Sequence, residues 1–402
     1  MFCMPESGHF QRMRPLISGL TRSGVAAHVF TDRKFEAEVE RAGGTFIDLF
    51  SKYPIEEADD TSFPVPCRFV TFAAVYAEQI CSDLEATRPS LVIHDSFAVI
   101  GRVVATRLGL PRVNVCAGHN VAPARFLAIL KDDPRVTVSP MCLRAADVLR
   151  ESYGVTDASP FSYVSSLSPD LNLYCEPPEF LPESDRHMFA PLAFVGSLPA
   201  AEDQARHADR AWFGTGSSGV LKVYVSFGTV VWRNYPEPAI RAMTAIAAAF
   251  ARMDGVRAVI SLGGTHIADE PRAALARSNV AVETYVDQWS VLREADAFVT
   301  HHGLNSTHEA IFHRVPMLSY PFFWDQPALA TMCKELGLAV PLAPSLRGAI
   351  DEDDVRRAMS RVVAERASMH AALERAREWE LAVIDNRPAV LRRLVDLISR
   401  GA

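Results

Sequence analysis

The sequence predicts an α/β protein built from two doubly wound parallel sheets. Apolar strand-like runs alternate with amphipathic helical stretches along the 402 residues, a pattern typical of parallel sheets. The runs form two series, and the polar stretch at residues 197–219 between them has the composition of a linker. The chain is also longer than one typical core requires. We therefore expect two Rossmann-like domains of near-equal size.

Each series supplies its own strands, in an order that can be read along the chain. The first gives AAHVFT, TFIDLF, SLVIHD, RVNVC and LNLYC. The second gives VYVSFGT, RAVISLGG, VAVETYV, AFVTHH, PMLSYP and AVPLA. Helical segments such as FEAEVERAG and RVVATRLG lie between strands, and RFVTFAAVYAEQI is an apolar helix that suits a core or an acceptor wall. Two further helices, ERASMHAALERAREWE and RPAVLRRLVDLISR, close the chain.

Composition narrows the class of protein. The net charge of -7 is spread along the chain, which argues against a nucleic-acid partner. Seven scattered cysteines form no C-x-x-C pair, which indicates reduced thiols in the cytoplasm, with neither a disulfide framework nor a zinc site. The opening MFCMPESGHF does not read as a secretion signal, and the longest apolar run, in AMTAIAAAFARM, has the length of a buried helix. We expect no stable membrane insertion.

The most informative segment starts near Tyr285 and combines an anion site with a polyol site. The strand AFVT leads to His301 and Gly303, and a short helix follows. The first N–H groups of a helix have no partner within it and carry a positive dipole end, so this junction can hold a diphosphate. Gly303 allows close approach of a ligand to the backbone. Asn305 and Glu309 share one helix face, and the carboxylate suits a ribose diol.

A second polar pair follows the next apolar strand. The strand MLSYP is followed by Asp325 and Gln326, whose side chains can hydrogen-bond sugar hydroxyls. Ligands of open α/β sheets bind at the carboxyl ends of strands, where all these groups fall.

The first half of the chain supplies a candidate base. Gly8 and His9 follow a very short strand and precede the helix RMRPLISGLTRSG, and Asp95 ends the strand SLVIHD. A histidine oriented by a carboxylate can take the proton of a hydroxyl that attacks a sugar carbon. His119, in CAGHN, is a weaker candidate for the mouth of an acceptor site.

These motifs resemble the nucleotide-sugar signature of family 1 glycosyltransferases, the UDP-glycosyltransferase-like enzymes with a GT-B fold. In plant members the pattern runs W-x-P-Q, then H-C-G-W-N-S-x-x-E, then D/E-Q. The corresponding positions here, with the same spacing, are Tyr285, Asp287, Gln288, His301, Gly303, Leu304, Asn305, Ser306, Glu309, Asp325 and Gln326. Tyr285, Asp287 and Leu304 depart from the pattern, so the resemblance is weakest at the end of the site that would stack on the nucleobase.

The resemblance implies two domains that face each other across a cleft, with donor contacts on the second. By position, Tyr285 would stack on the base, His301 and Ser306 would contact the diphosphate, Glu309 would bind the ribose, and Asp325 with Gln326 would hold the sugar. In the earlier segment SFGT, the resemblance implies that Thr229 reaches phosphate while Gly228 eases the turn.

The family also carries a catalytic dyad, in a G-H-x-x-P motif and an aspartate after the fourth strand. Gly8, His9 and Asp95 match this pattern, which implies that His9 is the base and Asp95 its partner. Arg12 replaces the usual proline and Gln11 the usual asparagine, so the local geometry at the start of the helix departs from the family. No histidine has metal-ligand spacing. We expect no metal or other cofactor.

We therefore expect residues 1–205 to bind the acceptor, residues 206–380 to bind the nucleotide sugar, and a helix at 381–402 to pack back on the first domain. The expected activity is an inverting, metal-independent transfer from a TDP- or UDP-linked sugar to a hydroxyl of a small lipophilic natural product. The content of Ala, Arg and Val resembles that of actinomycete enzymes of antibiotic biosynthesis. The expected partners are that donor and acceptor, and the expected state is a monomer or homodimer.

Two other functions would use a related fold. A nucleotide-sugar epimerase would bind a similar donor but would need no acceptor pocket and no histidine–aspartate dyad. An auxiliary protein that activates a partner glycosyltransferase should have lost donor or base residues. The intact motifs favour the transferase, and the identities of the nucleotide, sugar and acceptor stay open.

Overall fold

A computed structural model describes residues 1–85, 87–119, 121–164, 166–198, 210–214 and 219–401. The chain folds as two compact units, one formed by Met1–Pro199 with Val383–Ala402 and the other by Ala200–Ala382. Most of the predicted linker at 197–219 lies outside the described residues, as does the predicted boundary at 205/206. The later boundary falls at 382/383, where we predicted 380/381.

The first unit is built on a parallel sheet. Its strands are β1 (His28–Thr31), β2 (Thr45–Asp48), β3 (Val92–Asp95), β4 (Arg112–Cys116), β5 (Leu171–Tyr174) and β6 (Leu192–Phe194). β1 pairs with β2, and β3 to β6 follow in order. Phe2 joins the two groups through parallel bridges to Phe30 and His94, so residues around Phe2 act as the first strand. The chain therefore reverses its strand order between Phe2 and β3, a topological switch point.

The helices of the first unit cover that sheet. They are α1 (Ser7–Arg22), α2 (Glu36–Arg41), α3 (Leu49–Lys52), α4 (Ile55–Ala58), α5 (Pro66–Glu85), α6 (Val99–Leu108), α7 (Pro123–Asp132), α8 (Pro140–Tyr153) and α9 (Glu183–Arg186). α5 contains the apolar segment RFVTFAAVYAEQI, and its Phe69, Val70 and Phe72 are buried. That segment is therefore largely core.

The second unit has the Rossmann strand order. Its strands are β7 (Leu221–Ser226), β8 (Val256–Ser261), β9 (Val280–Glu283), β10 (Ala297–Thr300), β11 (Met317–Ser319) and β12 (Ala339–Pro341). They lie in the order β12-β11-β10-β7-β8-β9, with parallel pairing throughout. The order reverses between β7 and β10, where Ser226 pairs with Thr300 at the carboxyl ends. This reversal is the place where open α/β sheets bind ligands.

Helices connect the strands of the second unit. They are α10 (Val230–Asn234), α11 (Pro236–Ala251), α12 (Asp269–Leu275), α13 (Gln288–Leu292), α14 (Leu304–His313), α15 (Gln326–Glu335) and α16 (Glu352–Ala364). The buried faces of α10, α11, α12 and α16 pack with Val223, Val225 and Ile260 in one apolar cluster. This core fixes the carboxyl ends of β7 and β10, which carry the candidate donor residues.

The end of the chain differs from the prediction of two closing helices. A single helix, α17 (Arg366–Gly401), contains both segments, with Pro388 inside it. Proline removes one helix hydrogen bond, but anchoring contacts here hold the backbone in place. Arg387 donates from Nε to the carbonyl of Val195 at 2.7 Å and from Nη2 to that of Leu198 at 2.6 Å. The residues from Val383 onward belong to the first unit.

Candidate active site

The candidate base lies at the switch point of the first unit. His9 is the third residue of α1, which begins just after the strand at Phe2, and Asp95 ends the adjacent β3. The Nδ1 atom of His9 lies 3.0 Å from Oδ1 of Asp95. The His9 side chain is 14% exposed, whereas that of Asp95 is fully buried. The fold therefore brings together two residues that are 86 positions apart in sequence.

The charge of Asp95 fixes how the imidazole is protonated. Burial raises the pKa of Asp95, but hydrogen bonds from His9 and from the N–H groups of Met4 and Phe97 outweigh this and lower its pKa below the usual value. Those N–H groups lie 2.8 Å and 2.7 Å from the carboxylate oxygens. An ionised carboxylate only accepts hydrogen bonds, so Nδ1 of His9 carries the proton and Nε2 carries the lone pair.

Phe97 is a site residue that the sequence reasoning missed. Its ring lies against the imidazole of His9, with 4.1 Å between the ring centroids. Its backbone N–H also binds Asp95. Phe97 thus limits the tilt of His9 and supports its partner. Phe97 could have been found from the sequence, because it stands two residues after Asp95, the aspartate that ends β3.

A second histidine–carboxylate pair lies at the same edge of the sheet. His119 follows β4 and Glu176 follows β5, the two strands after β3 in the sheet. Nδ1 of His119 lies 2.9 Å and 3.1 Å from the two carboxylate oxygens of Glu176, which is fully buried. The Glu176 carboxylate therefore fixes the orientation of the His119 ring.

In the second unit, a histidine is held between two glycines at the strand reversal. His301 follows β10, and Gly228 follows β7 with φ +69°. A Cβ atom on either Gly228 or Gly303 would overlap the Nε2 end of the His301 ring. Burial lowers the pKa of His301 to about 4, and a hydrogen bond from the ring to the backbone carbonyl of Ser226 opposes this shift only partly. The ring is neutral in this environment.

The helix α14 begins beside that ring without a side-chain cap. Gly303 is its N-cap and has extended backbone angles, φ −63° and ψ 144°. The first N–H groups of the helix therefore stay available to an anion next to His301. Oδ1 of Asn305, in the first turn, is buried without a hydrogen-bond partner among the described residues. Turning the amide over would offer its NH2 group to a phosphate.

Gln288 connects the diphosphate and ribose parts of the predicted donor site. Its amide nitrogen donates to Oε2 of Glu309 at 2.8 Å, and its oxygen accepts from the hydroxyl of Ser306 at 3.2 Å. Gln288 therefore fixes the rotamers of Ser306 and Glu309 on α14. Sequence spacing placed Gln288 in the site but did not predict this bridge.

Tyr285, the candidate for base stacking, lies just beyond β9 and is 68% exposed. Below it, Tyr224 on β7 is buried, and burial raises the pKa of its hydroxyl. The Tyr224 hydroxyl bonds to Ser226 and Ser261 and lies within electrostatic range of Tyr285 and Glu309. Tyr224 is therefore a buried neighbour of the predicted donor site. The residue pattern of a buried strand does not reveal this position.

The remaining donor candidates differ in their surroundings. Thr229 is exposed and is the N-cap of α10, which has five residues. Asp325 is the N-cap of α15, half-buried, in a loop where Trp324 has φ +53°. Gln326 is only 5% exposed, and its Oε1 accepts from the N–H groups of Phe322 at 2.9 Å and Phe323 at 3.4 Å. Gln326 shapes the loop that carries Asp325.

Two further histidines, one just before α14 and one within it, are structural. His302 is fully buried with φ +59°, and its ring lies 2.7 Å from the hydroxyl of Ser319 and 3.2 Å from that of Thr307. Burial lowers the pKa of His302 to about 3. His308 is fully buried against Glu380. Both side chains bind the core instead of a ligand.

Within the described parts of the chain, no three His, Cys, Asp or Glu side chains are grouped to hold a metal ion. The prediction of a metal-independent reaction is not tested by this. None of the helices in the described ranges is both long and apolar enough to cross a membrane.

The geometry and the fold together define a class, the nucleotide-sugar-dependent GT-B glycosyltransferases. Residues 178–374 match the family described as UDP-glucoronosyl and UDP-glucosyl transferase. The solved glycotransferase of kitacinnamycin superposes with a TM-score of 0.75 and 22% identity, covering 100% of this chain and 97% of that one. This likeness confirms the predicted fold.

Two similar sequences from bacteria match most of the chain. The uncharacterized UDP-glucosyltransferase YdhE of Bacillus subtilis (strain 168) is 26% identical over 369 residues, covering 87% of this chain and 88% of the relative. The oleandomycin glycosyltransferase of Streptomyces antibioticus is 25% identical over 387 residues, covering 91% and 86%. The match of residues 178–374 to this family, together with these relatives, shows that the chain is a glycosyltransferase.

The exposed ring of Tyr285 leads to a prediction about the nucleobase. Tyr285→Ala should raise the Kd of a nucleoside diphosphate about fivefold, the low end for loss of a stacked base, because the ring is largely open to solvent. Isothermal titration of UDP and TDP measures this. Inorganic diphosphate, which has no base, is the control and should bind both proteins equally. An equal loss for inorganic diphosphate would contradict a stacking role.

Proposed function

We propose that the protein transfers a sugar from a TDP- or UDP-linked donor to a hydroxyl of a small lipophilic natural product, with inversion at the anomeric carbon. The single observation that carries this proposal is the contact of 3.0 Å between His9 Nδ1 and the buried Asp95. That contact leaves the lone pair of Nε2 on the opposite side of the ring, where a proton can be taken. The same pair has no evident purpose in an epimerase or an auxiliary protein.

The chemical step is a single displacement. The acceptor hydroxyl gives its proton to Nε2 of His9 while its oxygen forms a bond to the anomeric carbon. The bond from that carbon to the diphosphate breaks, and its electron pair stays on the diphosphate oxygen. Attack from the face opposite the leaving group inverts the configuration. Asp95 stabilises the imidazolium that forms and holds the ring in place.

The charge that develops on the diphosphate needs preorganised partners. The uncapped start of α14 supplies backbone N–H groups, and Asn305 supplies an amide next to them. A bound diphosphate would also raise the pKa of His301, because a nearby negative charge favours the imidazolium. His301 is thus suited to gain a proton, or a stronger hydrogen bond, as the leaving group departs.

The remaining proposed donor contacts are to the ribose and to the sugar. Glu309 would accept hydrogen bonds from the ribose, and its contact of 2.8 Å with Gln288 supports this role because the contact orients the carboxylate. Asp325, on the loop that Gln326 shapes, is the candidate for the sugar hydroxyls. The acceptor class is supported by relatives that act in oleandomycin and kitacinnamycin glycosylation, as their names state.

A nucleotide panel tests the donor assignment. We expect UDP or TDP and their sugars to raise the melting temperature, with GDP as the control nucleotide, since ligands that bind only the folded state stabilise it. If none of the nucleotides stabilises the protein, the donor assignment is wrong. Incubation with a nucleotide sugar alone separates the alternatives, because isomerisation of the sugar would indicate an epimerase.

A further inference from the structure

Arg12 occupies the position where related enzymes have the proline of the G-H-x-x-P motif, and here it is buried. Only 5% of Arg12 is exposed, although arginine is among the residues least often buried. Its Nη1 donates to the carbonyl oxygen of Gly8, the residue directly before His9. The guanidinium therefore binds the backbone that presents the proposed base.

Several elements of the first unit meet at the Arg12 side chain. A small cavity beside it is lined by Pro15 and Leu16 of α1, by Val195 and Gly196 after β6, and by the last helix. Arg12 and Arg387 also act electrostatically on the buried thiol of Cys175, at the end of β5. The Arg12 head thus lies among α1, the loop after β6 and the last helix, and a displacement of the head would move the Gly8 carbonyl.

The last helix packs closely against the surroundings of Arg12. Gly196 has φ +64°, and a Cβ there would lie 2.9 Å from Val383. A Cβ on Gly19, in α1, would overlap Leu391 of the last helix. These contacts hold the last helix against α1 and the loop after β6, so the wall of the Arg12 site is rigid.

We infer that Arg12 is a positioning residue for His9 and acts through its hydrogen bond to the Gly8 carbonyl. The inference rests on the proposed role of His9. A backbone shift of about 1 Å at a base can lower a rate a hundredfold, so a single buried hydrogen bond at this carbonyl has a measurable effect on turnover. Arg12 itself does not touch the reacting atoms.

The test uses Arg12→Met, which keeps much of the buried stem and removes the donor. We expect kcat to fall about tenfold to a hundredfold, with the KM for the donor changed less than twofold. Arg12→Lys, which keeps a charge and a donor, should recover part of kcat. Arg14→Ala is the matched control, because Arg14 lies on the same helix and binds Gln11 and Glu38 instead. Its kcat should stay within twofold of wild type.

A double mutant separates positioning from a general structural role. In the His9→Ala background, Arg12→Met should have no further effect on the residual rate, because the group it positions is absent. An equal additional loss in that background, or an unchanged kcat in Arg12→Met, would overturn the inference. His9→Ala alone reports on the proposed function: if it keeps full activity, the base assignment fails, whatever Arg12 does.

Discussion

His9→Ala is expected to lower kcat by about 10²- to 10⁴-fold, the usual range for loss of a general base. The reason is the lone pair of Nε2, which the contact of 3.0 Å between Nδ1 and Asp95 leaves for the acceptor proton. Binding of UDP or TDP should be unchanged, because the proposed donor contacts are all in the second unit. Steady-state kinetics with a fixed donor and acceptor, together with nucleotide titration, measure both quantities.

Two further variants make this result specific. Asp95→Asn keeps the size of the side chain but removes the charge that fixes the tautomer, so a loss of similar order is expected. His187→Ala is the control, because His187 is an exposed histidine of the same unit whose ring binds the backbone carbonyl of Ser184. Wild-type turnover in His9→Ala would exclude His9 as the base.

Gly303→Ala should lower donor-dependent turnover about a hundredfold, the size of effect seen when one preorganised anion contact is lost. The added Cβ would overlap the Nε2 end of His301 and push the ring out of its slot between Gly228 and Gly303. The extended backbone angles of Gly303 suit any residue, so the cost to folding should come from overpacking against the buried ring and be about 1–3 kcal/mol. Donor KM and the melting temperature together distinguish the two effects.

The control is a glycine at which an added Cβ would strain the backbone without touching a neighbouring side chain. Gly255 has φ +73° and open space where a Cβ would lie, and it stands at the amino end of β8, away from the candidate site. Gly255→Ala should therefore cost about 1–2 kcal/mol of stability through backbone strain, with no change in donor KM. If Gly303→Ala binds and uses the donor normally, the proposed slot for His301 has no role in transfer.

Local patterns predicted much of the architecture. Strand-like runs such as AFVT and VIHD occur as β10 and β3, because alternation with helices and burial on both faces leave clear local signals. β6 was not among the predicted strands. The prediction of two closing helices was wrong, because the helix continues through Pro388. The hydrogen bond from Arg387 to Val195 holds it there, and a contact between residues so far apart in sequence leaves no local pattern.

In the candidate site too, some features follow from the sequence and others only from the tertiary structure. The sequence by itself determined which residues are candidates for the chemistry, since His9, Asp95, His301 and Glu309 each stand at the end of a strand or on a helix with the spacing of the family motifs. Only the tertiary structure decided how they are held. The slot around His301, the bridge from Gln288 to Glu309 and the contact of Arg12 with Gly8 depend on side-chain direction and on strand order. Contacts between segments far apart in sequence are set by the packing of the whole sheet, and no local pattern encodes them.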